Sequence, residues 1–195
     1  MLQKIEHIIT ASIAVKQSIY ANTEMLMKIQ EVSQLIANSF QKGNKLLLCG
    51  NGGSAADAQH LAAEFTGRFY TDRNPLPAEA LHVNTSFLTA VANDYSYDVV
   101  FQRAVKAHGR PGDILMSLST SGNSKNCILA MRQALEQNMN VIAFTGSSGG
   151  EMKHSCHFLI NVPSTDTPRI QESHILIGHI ICQLVEEILI EKKFI

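Results

Sequence analysis

Apolar residues in the first forty positions recur at three- and four-residue spacing. They run through Leu26, Ile29, Val32, Leu35, Ile36 and Phe40 and, more loosely, through Leu2, Ile5, Ile9, Ile13 and Ile19. That is the period of a helix with one apolar face, so two helices are predicted before any strand. From Lys45 the texture changes. Short apolar runs at 45–49, 78–83, 113–118, 140–145 and 157–162 alternate with helix-patterned stretches near 54–67, 86–107 and 123–137. A long helical stretch follows from 169 to about 191. Short apolar strands joined by helices predict an α/β fold, a parallel sheet covered on both faces. Glu79 sits awkwardly in the second predicted strand and points to a partly exposed position there. Nothing reads as a linker or a repeat, so one domain is expected, with helices over 1–43 preceding an α/β core over 44–195. A helix with spare apolar surface has two outlets, its own domain or another subunit, and the pattern leaves both open.

Composition narrows the function more than the fold. The 195 residues are 45% hydrophobic and 17% charged, with a formal net charge of −1, which suits one soluble core. There is no basic stripe of the kind a nucleic-acid binder presents. Cys49, Cys127, Cys156 and Cys182 lie far apart and form no CxxC pair. The start MLQKIEHIIT has no basic segment leading into a continuous apolar one, and no apolar run reaches the ~18–20 residues of a membrane span. The expectation is a reduced, cytoplasmic protein without membrane or nucleic-acid partners.

Two loops carry candidate chemistry. The run KLLLCG leads straight into Gly50-Asn51-Gly52-Gly53-Ser54 and then a helix. Open α/β sheets bind ligands at the carboxyl ends of their strands, where free N–H groups and the helix dipole favour an anion. The spacing matches neither GxGxxG nor a P-loop, and a tight turn with Ser54 as N-cap explains the loop equally well. The second loop, Ser119-Thr120-Ser121-Gly122-Asn123-Ser124, follows DILMSL and precedes another helix. An N-cap accounts for one hydroxyl, not four, so this loop is read as an anion site. With no Lys or Arg in it, neutral donors suit a sugar phosphate better than a magnesium-bound polyphosphate.

Acid–base candidates lie on two helices. His60 and Glu64 are four residues apart and share a face, which a solvated surface pair would do as well. The last helix carries Gln171, Glu172, His174 and His179. At ~100° per residue, Gln171 and His179 differ by about 80° in facing, and His174 lies about 60° to the other side of Gln171. A histidine inside ILIGHIICQLV is also what a satisfied core position looks like. Together His60, Glu64, Gln171 and His179 offer four ligands to a divalent ion, zinc being the natural guess. Glu64 and His179 serve equally as a metal-free acid–base pair. Spacing alone does not bring the two helices together.

Five segments carry a resemblance: CGNGGSAADAQHLAAEFTGRF at 49–69, VANDYSYD at 91–98, STSGNS at 119–124, FTGSSGG at 144–150 and RIQESHILIGHIICQLVE at 169–186. Together they resemble the phosphoheptose isomerases of the sugar-isomerase (SIS) domain family. The resemblance implies a five-stranded parallel sheet between helices, and a homotetramer whose long N-terminal helix packs between subunits that share active sites. It implies conversion of sedoheptulose 7-phosphate to glycero-manno-heptose 7-phosphate, the first step toward activated heptose for cell-surface glycans. Ser119, Thr120, Ser121 and Ser124 match its phosphate loop, and Asn51, Gly52, Gly53, Asn93 and Asp94 its substrate-binding segments. Glu64 and Gln171 also face substrate in this reading, and one zinc per subunit falls on His60, Glu64, Gln171 and His179. The proton shuttle of an aldose–ketose isomerisation then assigns Glu64 as base and His179 as its acid–base partner, with zinc as Lewis acid. Two other relatives share these loops: proteins that associate with the replication initiator DnaA, and regulatory modules that sense a sugar phosphate. Glu64, Gln171 and His179 favour the enzyme over both.

Overall fold

In the computed structural model, which describes residues 1–195, two helices lead the chain, α1 (Leu2–Tyr20) and α2 (Thr23–Gln41). The core follows as β1 (Leu46–Gly50), α3 (Gly53–Thr66), β2 (Ala78–Ala80), α4 (Thr85–Asp94), α5 (Val100–His108) and β3 (Ile114–Leu118). It continues through α6 (Lys125–Glu136), β4 (Asn140–Thr145), β5 (Phe158–Asn161) and α7 (Thr167–Glu191). All five strands are parallel, in the order β2-β1-β3-β4-β5. The chain therefore winds outward in both directions from β1 and β3. In a doubly wound sheet that switch point is where a crevice opens at the carboxyl ends of the strands.

The alternation of side chains along each strand separates two cores. Leu46, Leu48, Ile114, Met116, Ile142 and Phe144 face α2, α3 and α7, while Leu47, Cys49, Leu115, Val141 and Ala143 face α4, α5 and α6. With both faces covered, the central strands are apolar at nearly every position. β2 lies at an edge, is only three residues long, and leaves Glu79 exposed, as that residue's charge led one to expect.

One expected helix divides. Residues 86–107, read as one stretch, form α4, a short 3-10 turn at Tyr97–Val99 and α5. The break falls at Ser96, whose extended backbone and side-chain bond to the N–H of Asp98 (2.9 Å) restart the chain. Local hydroxyl-to-backbone bonds of this kind compete with helix continuation. The other correction concerns α7. It is 25 residues long, with an 18-residue window of mean hydropathy 1.5, long and apolar enough to cross a bilayer by composition. Half of that window is buried in the fold. Ile170, Ile177, Ile181, Val185 and Leu189 are its inward face, packed on the sheet and α2.

α1 differs from every other helix. Leu2, Ile5, Ile8, Ile9 and Ile13 are exposed. Its C-terminal end is anchored in the core by Ile19 and Val15. The rest of its attachment is polar: Ser12 donates to Glu172 on α7 at 2.7 Å, Lys16 pairs with the same carboxylate at 3.5 Å, and Arg169 donates to the carbonyl of Ile8 at 2.9 Å.

Candidate active site

The two loops predicted from sequence meet at the switch point, after β1 and β3. In the first, the chain passes from Gly50 through Asn51 and Gly52 into α3, whose leading N–H groups have no partner within the helix. Gly53 lies in close approach to α7: a Cβ there would displace the side-chain amide of Gln171. In the second loop the hydroxyls converge. Ser119 Oγ lies 2.8 Å from Ser124 Oγ and 3.4 Å from Ser121 Oγ. Gly122 takes φ +68 and packs against the main chain of Gly149 and Gly150, where no side chain fits. Thr120 and Ser121 also line a small cavity of about 180 Å³ with Ser147, Ser148, Ser164 and Thr165. Its walls offer hydroxyl groups and no charge.

The loops are fastened to one another. Asn51 and Asn126 exchange amide hydrogen bonds, Asn51 Nδ2 to Asn126 Oδ1 at 2.9 Å and Asn126 Nδ2 to Asn51 Oδ1 at 2.8 Å. The Tyr97 hydroxyl donates to Asn51 Oδ1 at 3.1 Å. The amide of Asn51, predicted to meet substrate, is thus held as a strut between the loops. Asn93 and Asp94 are exposed and bond one another at 3.0 Å, so their segment reaches the loops through Tyr97. Neither Asn126 nor Tyr97 was singled out from sequence. Tyr97 lay inside the segment that carried the resemblance, whereas Asn126, the second residue of α6, left no signal.

Packing of α3 on α7 assembles the acid–base cluster. Gly53 meets Gln171, Leu61 meets Gly178 and His60 meets His179, so the two helices run side by side in the same direction. His60 Nε2 and His179 Nε2 are 3.0 Å apart with the rings edge to face, and His60 Nε2 lies 3.3 Å from Glu64 Oε1. Two imidazole nitrogens this close need either one N–H aimed at the other's lone pair or a cation shared by both lone pairs. One ligand atom from each of His60, Glu64 and His179 lies within 4.8 Å of the others. A tetrahedral zinc with bonds near 2.0–2.1 Å separates its ligands by roughly 3.4 Å, so this donor set fits such an ion. Of the four predicted ligands, three are therefore brought together. Gln171 precedes His179 by eight residues, about 12 Å of rise, and its amide rests on Gly53 at the first loop.

Two neighbours complete the site. Phe69, just beyond α3, sets its ring centroid 5.8 Å from that of His179. Asp57, one turn before His60, has its carboxyl raised to about 6 by burial, against the opposing pull of His60, and one oxygen lacks a hydrogen-bond partner. His174, also on α7, faces away into the core: its Nε2 bonds the carbonyl of Thr145 at 3.1 Å.

Comparison with known proteins agrees with this geometry. Residues 7–146 match the SIS domain family. The chain is 50% identical over 189 residues to the phosphoheptose isomerase of Clostridium acetobutylicum, covering 97% of this chain and 96% of that one. It is 51% identical over 187 residues to the phosphoheptose isomerase of Aneurinibacillus thermoaerophilus, covering 96% and 94%. Among solved structures, the phosphoheptose isomerase of Neisseria gonorrhoeae superposes with a TM-score of 0.87 at 43% identity, over 96% of this chain and all of that one. Nearly full-length identity at this level, together with a loop pair at the carboxyl ends of β1 and β3 and an acid–base cluster between α3 and α7, places this chain in the SIS domain family, among the phosphoheptose isomerases.

Proposed function

We propose that this site converts sedoheptulose 7-phosphate to D-glycero-D-manno-heptose 7-phosphate, the first step toward activated heptose, in the cytoplasm. The observation that carries the reading is the convergence of His60, Glu64 and His179 between α3 and α7, in a fold that also gathers the hydroxyls of Ser119, Ser121 and Ser124 at the carboxyl end of β3. Moving a carbonyl between C1 and C2 requires a base to lift a carbon-bound proton and an acid to serve the two oxygens. Glu64, half-buried and beside an imidazole, is the base. His179, an imidazole that can both donate and accept a proton, moves the proton between O1 and O2. Ser119, Thr120, Ser121 and Ser124 hold the phosphate through hydroxyls and the N–H groups at the start of α6, which leaves the sugar chain to extend toward α3 and α7.

A zinc ion held by His60, Glu64 and His179 would polarise the carbonyl and stabilise the negative charge of the enediol state. Gln171 enters as fourth ligand on the resemblance alone. The exposed apolar face of α1 supports a second part of the reading, that residues 1–43 join subunits into a homotetramer.

The test is turnover of sedoheptulose 7-phosphate, followed by formation of the aldose product. Active wild-type protein is expected, and replacing both Ser119 and Ser121 by Ala should raise KM about tenfold or more, since each lost hydrogen bond to a charged group is worth roughly 1.5–3 kcal/mol. No turnover by the wild type, or an unchanged KM in the double variant, would count against the reaction or the phosphate loop respectively.

A further inference from the structure

Beneath the cluster lies a buried ion pair that the proton transfers do not use. The side chains of Arg73 and Glu186 are 2% and 4% exposed and meet at 2.9 Å, Nε to Oε2. Desolvation offsets much of the attraction in such a pair, so its presence is weak evidence of a stabilising role. What the two groups hold is more informative. Arg73 donates through Nη2 to the main-chain carbonyl of Glu64 at 2.9 Å, and through Nη1 to those of Phe65 at 2.9 Å and Asn74 at 3.1 Å. The carbonyls of Glu64 and Phe65 belong to the last turn of α3 and have no acceptor role left within the helix. Glu186, on α7, accepts from the N–H groups of Phe69 (3.4 Å), Tyr70 (3.1 Å) and Thr71 (2.9 Å). It thereby ties the loop after α3 down onto α7. Phe69 in that loop is the residue whose ring packs against His179, and His179 lies seven residues, about two turns, before Glu186 on α7.

We propose that Arg73 and Glu186 are positioning residues for the reaction, Arg73 fixing the main chain that carries Glu64 and Glu186 fixing the loop whose Phe69 orients His179. This rests on the reading that Glu64 and His179 transfer the protons. One bridge thus spans α3, the loop and α7 and sets both partners at once. The phosphate loop belongs to other segments, after β3, and does not depend on it. Lysine at position 73 would supply a charge but not the fork that reaches a carboxylate and carbonyls together.

The experiment uses full-length Arg73→Lys and Glu186→Gln proteins whose circular dichroism matches the wild type. Turnover of sedoheptulose 7-phosphate is measured alongside the carbon-bound proton resonances of the His179 imidazole. The expected result is a kcat lower by about 10- to 100-fold, the range for residues that orient reacting groups, with KM within about threefold. The His179 resonance should move as the Phe69 ring current is lost. A pair that only stabilises the fold would lower the melting temperature and leave kcat unchanged in folded protein, and that result overturns the proposal. Should either variant fail to fold, Phe69→Leu leaves the ion pair intact and decides: kcat about tenfold lower supports the proposal, and wild-type kcat overturns it. If the wild type itself does not turn over the sugar phosphate, the reaction assignment fails instead. The His179 resonance then decides the positioning question, and an unmoved signal in both ion-pair variants overturns it.

Discussion

His174 and His179 stand five residues apart on α7, in contrary surroundings. His174 is fully buried, edge to face with Phe144, and donates to the Thr145 carbonyl. Burial drives its pKa down to about 4, against the raising effect of that hydrogen bond, so near neutrality it is uncharged. His179 is only partly buried and faces a second imidazole, an aromatic ring and, through His60, a carboxylate. One imidazole fills a core and the other stands in a partly open cluster. Their residue type is the same, and what lies across from each decides its chemistry. The same holds for two carboxylates of the region: Glu186 is tied by four donors, whereas Glu64 keeps its side chain for the cluster.

The sharpest test of this contrast is at Glu64. Glu64→Gln keeps the shape of the side chain and removes its basicity, so turnover should fall by about a thousandfold, within the range for loss of a positioned base. Circular dichroism should be unchanged, and near-wild-type activity would refute the base assignment. Next come the two histidines. His179→Ala is expected to lower kcat by about 100-fold with little change in melting temperature. His174→Leu should leave kcat alone and cost about 1 kcal/mol of stability for the lost hydrogen bond, because the Thr145 carbonyl retains the N–H of Val162 at 2.9 Å. Activity loss at 174 rather than 179 would invert the comparison.

The smallest effect is in pH. The unfolded chain binds a proton at position 174 below its ordinary value of 6.5, whereas the folded chain does so only near 4. Stability therefore falls as pH drops through 6.5 and levels off below about 4. Between pH 7.5 and 5.5 this histidine should contribute a loss of about 1 kcal/mol. Denaturant unfolding of wild type and His174→Leu at both pH values isolates it, and equal slopes in the two proteins would contradict the assignment.

Much of the fold was legible along the chain. The five apolar runs became strands within a few residues of their expected limits, because a sheet covered on both faces needs nearly continuous apolar sequence. Residues 86–107 were read as one helix, since their apolar spacing is helical throughout and the interruption depends on one serine side chain closing on Asp98. The hydroxyl loop was visible because four Ser and Thr in six positions exceed what capping needs. Asn126, Tyr97, Arg73 and Glu186 were not, because each acts on a segment distant in sequence: 75 residues separate Asn51 from Asn126, and 113 separate Arg73 from Glu186.

The sequence by itself determined the layered α/β class, the loops at the ends of β1 and β3, and the pairing of His60 with Glu64, all of which depend on local periodicity. Tertiary structure decided the rest. Only the packing of α3 along α7 turned His179 from an apolar-run histidine into a partner of His60 and set the Gln171 amide against Gly53, and only the packing of α7 on β4 sent His174 to the core. A helix period fixes the angle at which a side chain leaves its own axis. It contains no information about which neighbouring axis lies in that direction, and two imidazoles 3.0 Å apart require both.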